Sequence, residues 1–380
     1  MGKPKQDPEQ RGVSRRKLLA GGFAATAALP VLHELIPHRG LHHALDGSEP
    51  AAAAMSEHAG MQMGAVTEHA GHSSNGLPLH AGFDPATDVD HEANGFNPTE
   101  ILRDFDWGET RRLPGGRTLR EFTIVAQDRE IEVAPGVKYA AWTYNGRVPG
   151  PTLRCVEGDR VRIRFTNGST HPHTMHFHGI HSAFMDGMPG IGEAKGGGQV
   201  DPGESFDYEF DAEPFGTHLY HCHVSPLAAH IAKGLYGGFI IDPKVGREPA
   251  DEMVMVMNGF DTNFDADNEV YALNTVANHY MHEPIRVEVG ALVRMYLVNV
   301  TEFDLINSLH LHGMFFDVFR TGTSLTTSER TDIVMMCQGE RAILETRFRY
   351  PGKFMFHAHQ SEFAELGWMG MFEAGARRDT

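Results

Sequence analysis

Polar and apolar residues take turns along two stretches of this chain, and each alternation predicts a β-strand. Leu119 to Val133 reads LREFTIVAQDREIEV, and Val161 to Asn167 reads VRIRFTN with apolar side chains at every second position. Tyr144-Asn145-Gly146 and Pro149-Gly150-Pro151 supply turn residues between them. Short strands separated by Gly, Pro, Asn and Asp clusters continue to Pro243, and no long segment carries a helical period. The pattern predicts an all-β fold, a Greek-key barrel or sandwich, with order beginning near Leu119.

Upstream the pattern dissolves. From His33 to about Asn97 neither period is sustained, and few large apolar groups are available to offset the ordering entropy, so a flexible segment is expected. It holds His42, His43, His58, His69, His72 and His80 with Met55, Met61 and Met63, a composition suited equally to a copper-scavenging tail or a solvated linker. Ahead of it, Ser14-Arg15-Arg16-Lys17-Leu18-Leu19 precedes the small, apolar run from Ala20 to Leu32. That reads as an export signal of the twin-arginine type, placing the protein in the periplasm, at the cell surface or outside the cell. The run is too short and too rich in Ala and Gly for stable membrane insertion. The expected partition is an export region over 1–48, a His/Met-rich tail over 49–108, and two β-domains over 109–245 and 246–380.

An internal repeat supports the two β-domains. VRIRFTNGSTHPHTMHFHGI, from Val161, is echoed by VRMYLVNVTEFDLINSLHLHGM, from Val293, and FGTHLYHCH, ending at His223, by PGKFMFHAH, ending at His359. Matching histidines are offset by 134 residues (His176 to His310) and 136 residues (His221 to His357). The copies differ selectively: Ala358 stands where the first copy has Cys222, and Asn307 where it has His173.

Composition then narrows the chemistry. The net charge is −17, and Lys and Arg form no stripe, which argues against nucleic acid as a partner. With 24 His and 18 Met but three Cys, the donors on offer are imidazoles and thioethers, which favour copper over magnesium or calcium.

Spacing locates the site. On a strand, successive side chains face opposite ways, so His221 and His223 share one face while Cys222 takes the other. One short strand can thus serve two metal sites. His230, placed by the following loop, returns to the cysteine side, and Leu235 follows where a weak axial donor would sit. A His/His/Cys set of this kind is the chemistry of a blue-copper centre. Four HxH pairs complete the inventory: His176/His178, His221/His223, His310/His312 and His357/His359. Eight neutral imidazoles could ligate three copper ions and leave positions open for dioxygen.

These four motifs resemble those of the multicopper oxidases, and the two-repeat organisation resembles the small two-domain laccases. The resemblance covers about Leu119 to Phe372 and implies two tandem cupredoxin-like domains. It also implies about four coppers per chain: one type 1, one type 2 and a type 3 pair. Carried over by motif, His173, Cys222 and His230 would hold the type 1 copper with Leu235 at the axial position, and His176 and His310 the type 2 copper. His178, His221, His223, His312, His357 and His359 would hold the type 3 pair. His230 lies eight residues after the cysteine, whereas three-domain laccases place it at five; the longer loop resembles copper nitrite reductases and two-domain oxidases. Asp186, in MDGMPG, resembles the family's acidic residue beside the trinuclear site and is a candidate proton relay, with Glu362 a second.

The resemblance further implies a homotrimer, with the trinuclear site shared between domain 1 of one subunit and domain 2 of the next. Dioxygen would be the acceptor and a small reducing substrate the donor, phenols and aromatic amines first, Cu(I) or another metal ion as the alternative. Copper nitrite reductase is the rival enzyme, but its mononuclear pocket has a carboxylate two residues before its HxH-equivalent histidine and no histidine after the cysteine. This chain has His176 and His223 there. A copper-buffering protein is the non-catalytic rival, and it would have no use for the HCH strand. Cys155 and Cys337 are expected to be two buried thiols.

Overall fold

The computed structural model describes residues 82–191 and 198–376. The export region and the histidines and methionines of 33–80 lie outside the described residues. What is described is built from strands, with only short helices.

In the first half, one sheet runs in the order Phe105–Asp106, Thr152–Val156, Tyr236–Asp242, Gly216–His221 and His176–Phe177. The facing sheet runs Glu109–Arg112, Thr118–Ala134, Arg160–Asn167 and Ser205–Asp211, and Val137–Tyr144 folds back on the long Thr118–Ala134 strand. The predicted alternation is realised there: Phe122, Ile124, Ile163 and Phe165 point into the sandwich with Phe177, Tyr220 and Phe239. The second half repeats the pairing. Arg160–Asn167 runs parallel to Thr118–Ala134, as Val293–Asn299 does to Asp251–Phe260. Gly216–His221 lies antiparallel to Tyr236–Asp242, as Gly352–His357 does to Met369–Gly375. Even the register at the histidines is kept, with His176 opposite His221 and His310 opposite His357.

A third apolar layer joins the halves. Leu219, Tyr236 and Ile240 of the first half pack against Val254, Val256, Tyr296, Val298 and Ile343 of the second. Strands buried on both faces need apolar residues on both, which is why Val293–Asn299 is buried throughout and reads as a nearly continuous apolar run. Its one cation, Arg294, is matched by Glu345 (2.6 Å) and Glu252 (2.9 Å), and Glu252 also takes Arg154 from the first half (2.8 Å).

Packed structure begins well before Leu119. Phe83, Val89, Phe96 and Ile101 are buried in the layer between the halves, and Asp90 and Asn97 cap two single-turn helices, His91–Asn94 and Pro98–Ile101. These apolar residues are too widely spaced to show a period. They cover an existing surface rather than form an element of their own.

Candidate metal centres

The strand Gly216–His221 lies on the seam between the halves and delivers its last residues to two different places. Cys222, one residue past the strand, is fully buried in the first sandwich. Its Sγ lies 3.3 Å from His230 Nδ1 and 3.9 Å from His173 Nδ1, and the two nitrogens are 3.2 Å apart. A thiol and two imidazoles at the corners of so small a triangle fit a trigonal copper ion, whose bonds to such donors are about 2 Å. Burial pushes the Cys222 thiol up to about 11 and holds His173 down to about 3 and His230 to about 4. The imidazoles are therefore already in the neutral, metal-binding form, and the cation must displace only the thiol proton.

The surroundings hold the donors in place. Thr174 N–H points at Cys222 Sγ (3.4 Å), and His173 Nε2 meets Ser169 Oγ (2.9 Å), whose hydroxyl donates to Asp128 (2.5 Å). The Trp142 ring lies against both His173 and His230. His230 sits on a short helix, Leu227–Ala232, and not on a loop as expected; the longer spacing from the cysteine is taken up by that helical turn. Leu235 is fully buried in the same apolar cluster as Cys222, and its carbonyl accepts the Cys222 N–H (3.0 Å). Its side chain carries no donor atom.

Beyond the cysteine the chain turns to imidazoles. His178 Nε2 and His221 Nε2 approach to 2.9 Å, and the His176 ring packs against His178, His221 and His223 at 5.1–5.3 Å between centroids. His221 Nδ1 donates to the Cys222 carbonyl (2.8 Å) and His176 Nδ1 to the Asp186 carbonyl (2.8 Å), which leaves each Nε2 to face the others. The second half builds the same figure. His312 Nε2 and His357 Nε2 are 3.1 Å apart, His357 Nδ1 donates to the Ala358 carbonyl (2.6 Å), and His310 Nδ1 donates to the Asp332 carbonyl (2.9 Å). His359 packs against His310 and His357.

The carboxylates divide less evenly than the histidines. Asp186 Oδ1 stands 3.6 Å from His176 Nδ1. In the second set the same place, 3.7 Å from His310 Nδ1, belongs to Asp332. Asp332 follows its histidine by 22 residues where Asp186 follows by 10, so the repeat could not reveal it. Glu362 lies in the first turn of the short helix Ser361–Glu365, three residues past His359. A fourth acid, Glu302, lines a cavity of about 510 Å³ in front of the first histidine set. It is buried, and burial raises its pKa against the opposing Gln338 hydrogen bond. The same cavity is walled by Val300, Gln338 and Gly339 of the second half and by Leu227 and Ile231 beside His230. None of His310, His312, His357 or His359 lines it, and the donor atoms gather in distinct clusters, His176 with His178 and His221, and His310 with His312 and His357.

The cysteines other than Cys222 correct the expectation of two buried thiols. Both are free, but only Cys155 is buried; Cys337, at the end of the strand Ile333–Cys337, is exposed.

Comparison with known proteins follows the same line. Two models described as multicopper oxidase match residues 125–246 and 247–377. A crystal structure of a multicopper oxidase is 61% identical with a TM-score of 0.74, covering 76% of this chain and all of its own. This chain belongs to the multicopper oxidase family. Curated proteins of two further descriptions are also similar. The copper-containing nitrite reductase of Neisseria gonorrhoeae is 29% identical over 252 residues, which is 61% of this chain and 62% of that enzyme's length. Laccase-2 of Botryotinia fuckeliana is 34% identical over 147 residues, 38% of this chain and 24% of the laccase. As a multicopper oxidase this chain has the two-domain cupredoxin-like fold of its structural relatives, and copper is the metal its donor sets imply.

Proposed function

We propose that this multicopper oxidase is a two-domain, laccase-like enzyme that couples one-electron oxidation of phenolic or aromatic donors to the four-electron reduction of dioxygen to water. The observation that carries the reading is the pair of matched histidine sets, four imidazoles in each half. A mononuclear reductase site would have no use for His176 and His223 together. Copper, when bound, supplies one-electron exchange at the Cys222 pocket and dioxygen reduction among the histidines, as one type 1, one type 2 and two type 3 ions per chain.

The protein's own part is to connect and to supply. Cys222 Sγ reaches the His221 ring along its own backbone, because His221 Nδ1 is hydrogen-bonded to the Cys222 carbonyl; His223 is attached by a peptide bond. Trp142 covers the imidazoles of the cysteine pocket and keeps water from them. Asp186 and Asp332 orient the two type 2 candidates, His176 and His310, through carbonyl and carboxylate alike. Glu302, lifted by burial, is suited to hold a proton at the cavity in front of the first set.

Because the two sets are separate in one chain, the full site requires a second subunit, in the homotrimer already expected. The neighbourhood of the second set supports this: Leu305 (84% exposed), Ile306, Ile333 and Met335 (62%) present apolar side chains close to His310 in sequence or strand pairing. Export by the twin-arginine-type signal would place the enzyme outside the cytoplasm. No helix among the described residues is long and apolar enough to cross a membrane. Oxidation of Cu(I) or another metal ion is the alternative donor chemistry, and the test is direct. The copper-loaded protein should consume dioxygen with a phenol and carry about four coppers per chain, with blue, type 2 and coupled-pair signals. About two coppers, nitrite reduction and no oxygen uptake would make it a nitrite reductase.

A further inference from the structure

Away from the copper centres, a second constellation of metal-ligating side chains joins the segment ahead of the first strand to the second half. We infer that Asp88, His91 and His279 form a binding site for a divalent transition-metal cation, of which zinc is the simplest representative, and that this ion clamps the N-terminal segment to the helix His279–His282.

The three donor atoms lie within 4.8 Å of one another. Asp88 Oδ2 is 3.0 Å from His279 Nδ1 and 3.3 Å from His91 Nε2. Bonds of about 2.0–2.2 Å to a tetrahedral ion place neighbouring donors about 3.3 Å apart. The two edges from Asp88 thus match such an ion and the third lies within 4.8 Å; at the cysteine pocket the edges are 3.2–3.9 Å. One of the donors is also braced. His279 is fully buried, and its other nitrogen, Nε2, meets Thr99 Oγ1 at 2.8 Å with Glu283 Oε2 at 3.7 Å, the outer contact that fixes a ligating imidazole's tautomer and orientation. His91 lies edge-on to the His279 ring at 4.7 Å.

The donor set names the class of ion. Two imidazoles and a carboxylate suit Zn(II) or Cu(II); with no sulfur the set is poorly matched to Cu(I), and with two nitrogens poorly matched to Mg(II) or Ca(II). Three protein ligands leave a fourth position for water. Asp88 and His91 are each about one-fifth to one-quarter exposed at the side chain, so an ion can reach the site without unfolding the chain. The ion would act on structure. Asp88 and His91 flank the buried Val89, Asn94 is buried three residues on, and Tyr280, next to His279, donates to the Pro98 carbonyl (2.8 Å), so metal bonds would reinforce an existing contact between two distant parts of the chain.

The test uses the full-length, copper-loaded protein dialysed against micromolar zinc, with metal analysis and diffraction at the zinc and copper absorption edges. An anomalous peak bonded to Asp88, His91 and His279 is the expected result. One metal ion per chain should be lost in both His91→Ala and Asp88→Asn, with at least a tenfold weaker affinity, while copper spectra and oxygen uptake stay those of the parent. No peak at either edge between the three side chains, or metal counts equal in parent and variants, would overturn the site and leave Asp88 as an ion-pair partner alone. Neither result depends on which donor the oxidase uses.

Discussion

The two repeats hold one pocket each at the turn after the HxH strand, and only the first is lined by a thiol and two imidazoles. In the first, His173, Cys222, His230 and Leu235 surround the pocket; in the second, Asn307, Ala358, Phe363 and Trp368 take the same places. The backbone does not register the change. Cys222 N–H donates to the Leu235 carbonyl at 3.0 Å and Ala358 N–H to the Trp368 carbonyl at 3.2 Å. Leu235 N–H reaches the His230 carbonyl at 3.4 Å and Trp368 N–H the Phe363 carbonyl at 2.8 Å. His223 N–H bonds Thr174 Oγ1 and His359 N–H bonds Ser308 Oγ, at 3.0 and 2.9 Å. What differs is filling: the second pocket is closed by a fully buried indole and by Phe363 stacked on Tyr271 at 4.0 Å. The same backbone frame therefore accommodates either filling, and ligation at the cysteine pocket is a matter of three donor side chains, His173, Cys222 and His230. The histidine sets, in contrast, are kept in both halves.

The largest expected effect is to make the first pocket like the second. Cys222→Ala should remove the blue absorption and one copper per chain and bring oxygen uptake to background, while both histidine sets still load; visible and spin-resonance spectra check this. His310→Ala should do the converse, keeping the blue colour and losing the oxygen chemistry. Weakening the support of the first pocket should cost less. Ser169→Ala removes the hydroxyl on His173 Nε2 and should lower type 1 copper affinity by about 10–100-fold, read by chelator competition.

Protonation offers a further contrast, because among the candidate copper ligands only the first half has buried imidazoles. His173, His221 and His230 are held by burial to about 3–4, below the value of about 6.5 they have in the unfolded chain. Below about 6.5 the unfolded chain therefore binds more protons than the fold. Copper-free protein should be most stable above that pH and lose stability as pH falls toward about 4, by up to about 1.4 kcal/mol per pH unit for each group. Denaturant titrations across pH 7 to 4 measure it. The smallest effect belongs to restoring the thiol: Ala358→Cys should create no blue centre, since Phe363 and Asn307 cannot replace two imidazoles. It should cost about 1–3 kcal/mol in stability through overpacking.

Much of this was legible in the chain. Strand alternation and the repeat gave the two sandwiches, and the HCH turn with its four HxH pairs picked out side chains that the structure gathers into three figures. The losses at Ala358 and Asn307 could be read by alignment, but Phe363 and Trp368 could not, because the second turn is shorter and breaks the register. Asp332 and Glu302 were invisible for a related reason: each reaches its site from a loop whose length differs between the copies. The segment from Phe83 to Ile101 escaped because its apolar residues pack against a finished surface and need no period. A loop is expected at His230 because the six helical residues Leu227–Ala232 are too few to show a period.

The central claim is that each dioxygen site is assembled from the first histidine set of one subunit and the second set of the next. Co-assembly of His178→Ala chains with His312→Ala chains tests it most directly, since each alone has one broken set at every site. Random assembly between subunits should restore oxygen uptake to about a quarter of the parent activity, because one junction in four then joins two intact sets. Mixed assemblies that form but remain as inactive as either variant alone would show that both sets must come from one chain, and the account would be wrong.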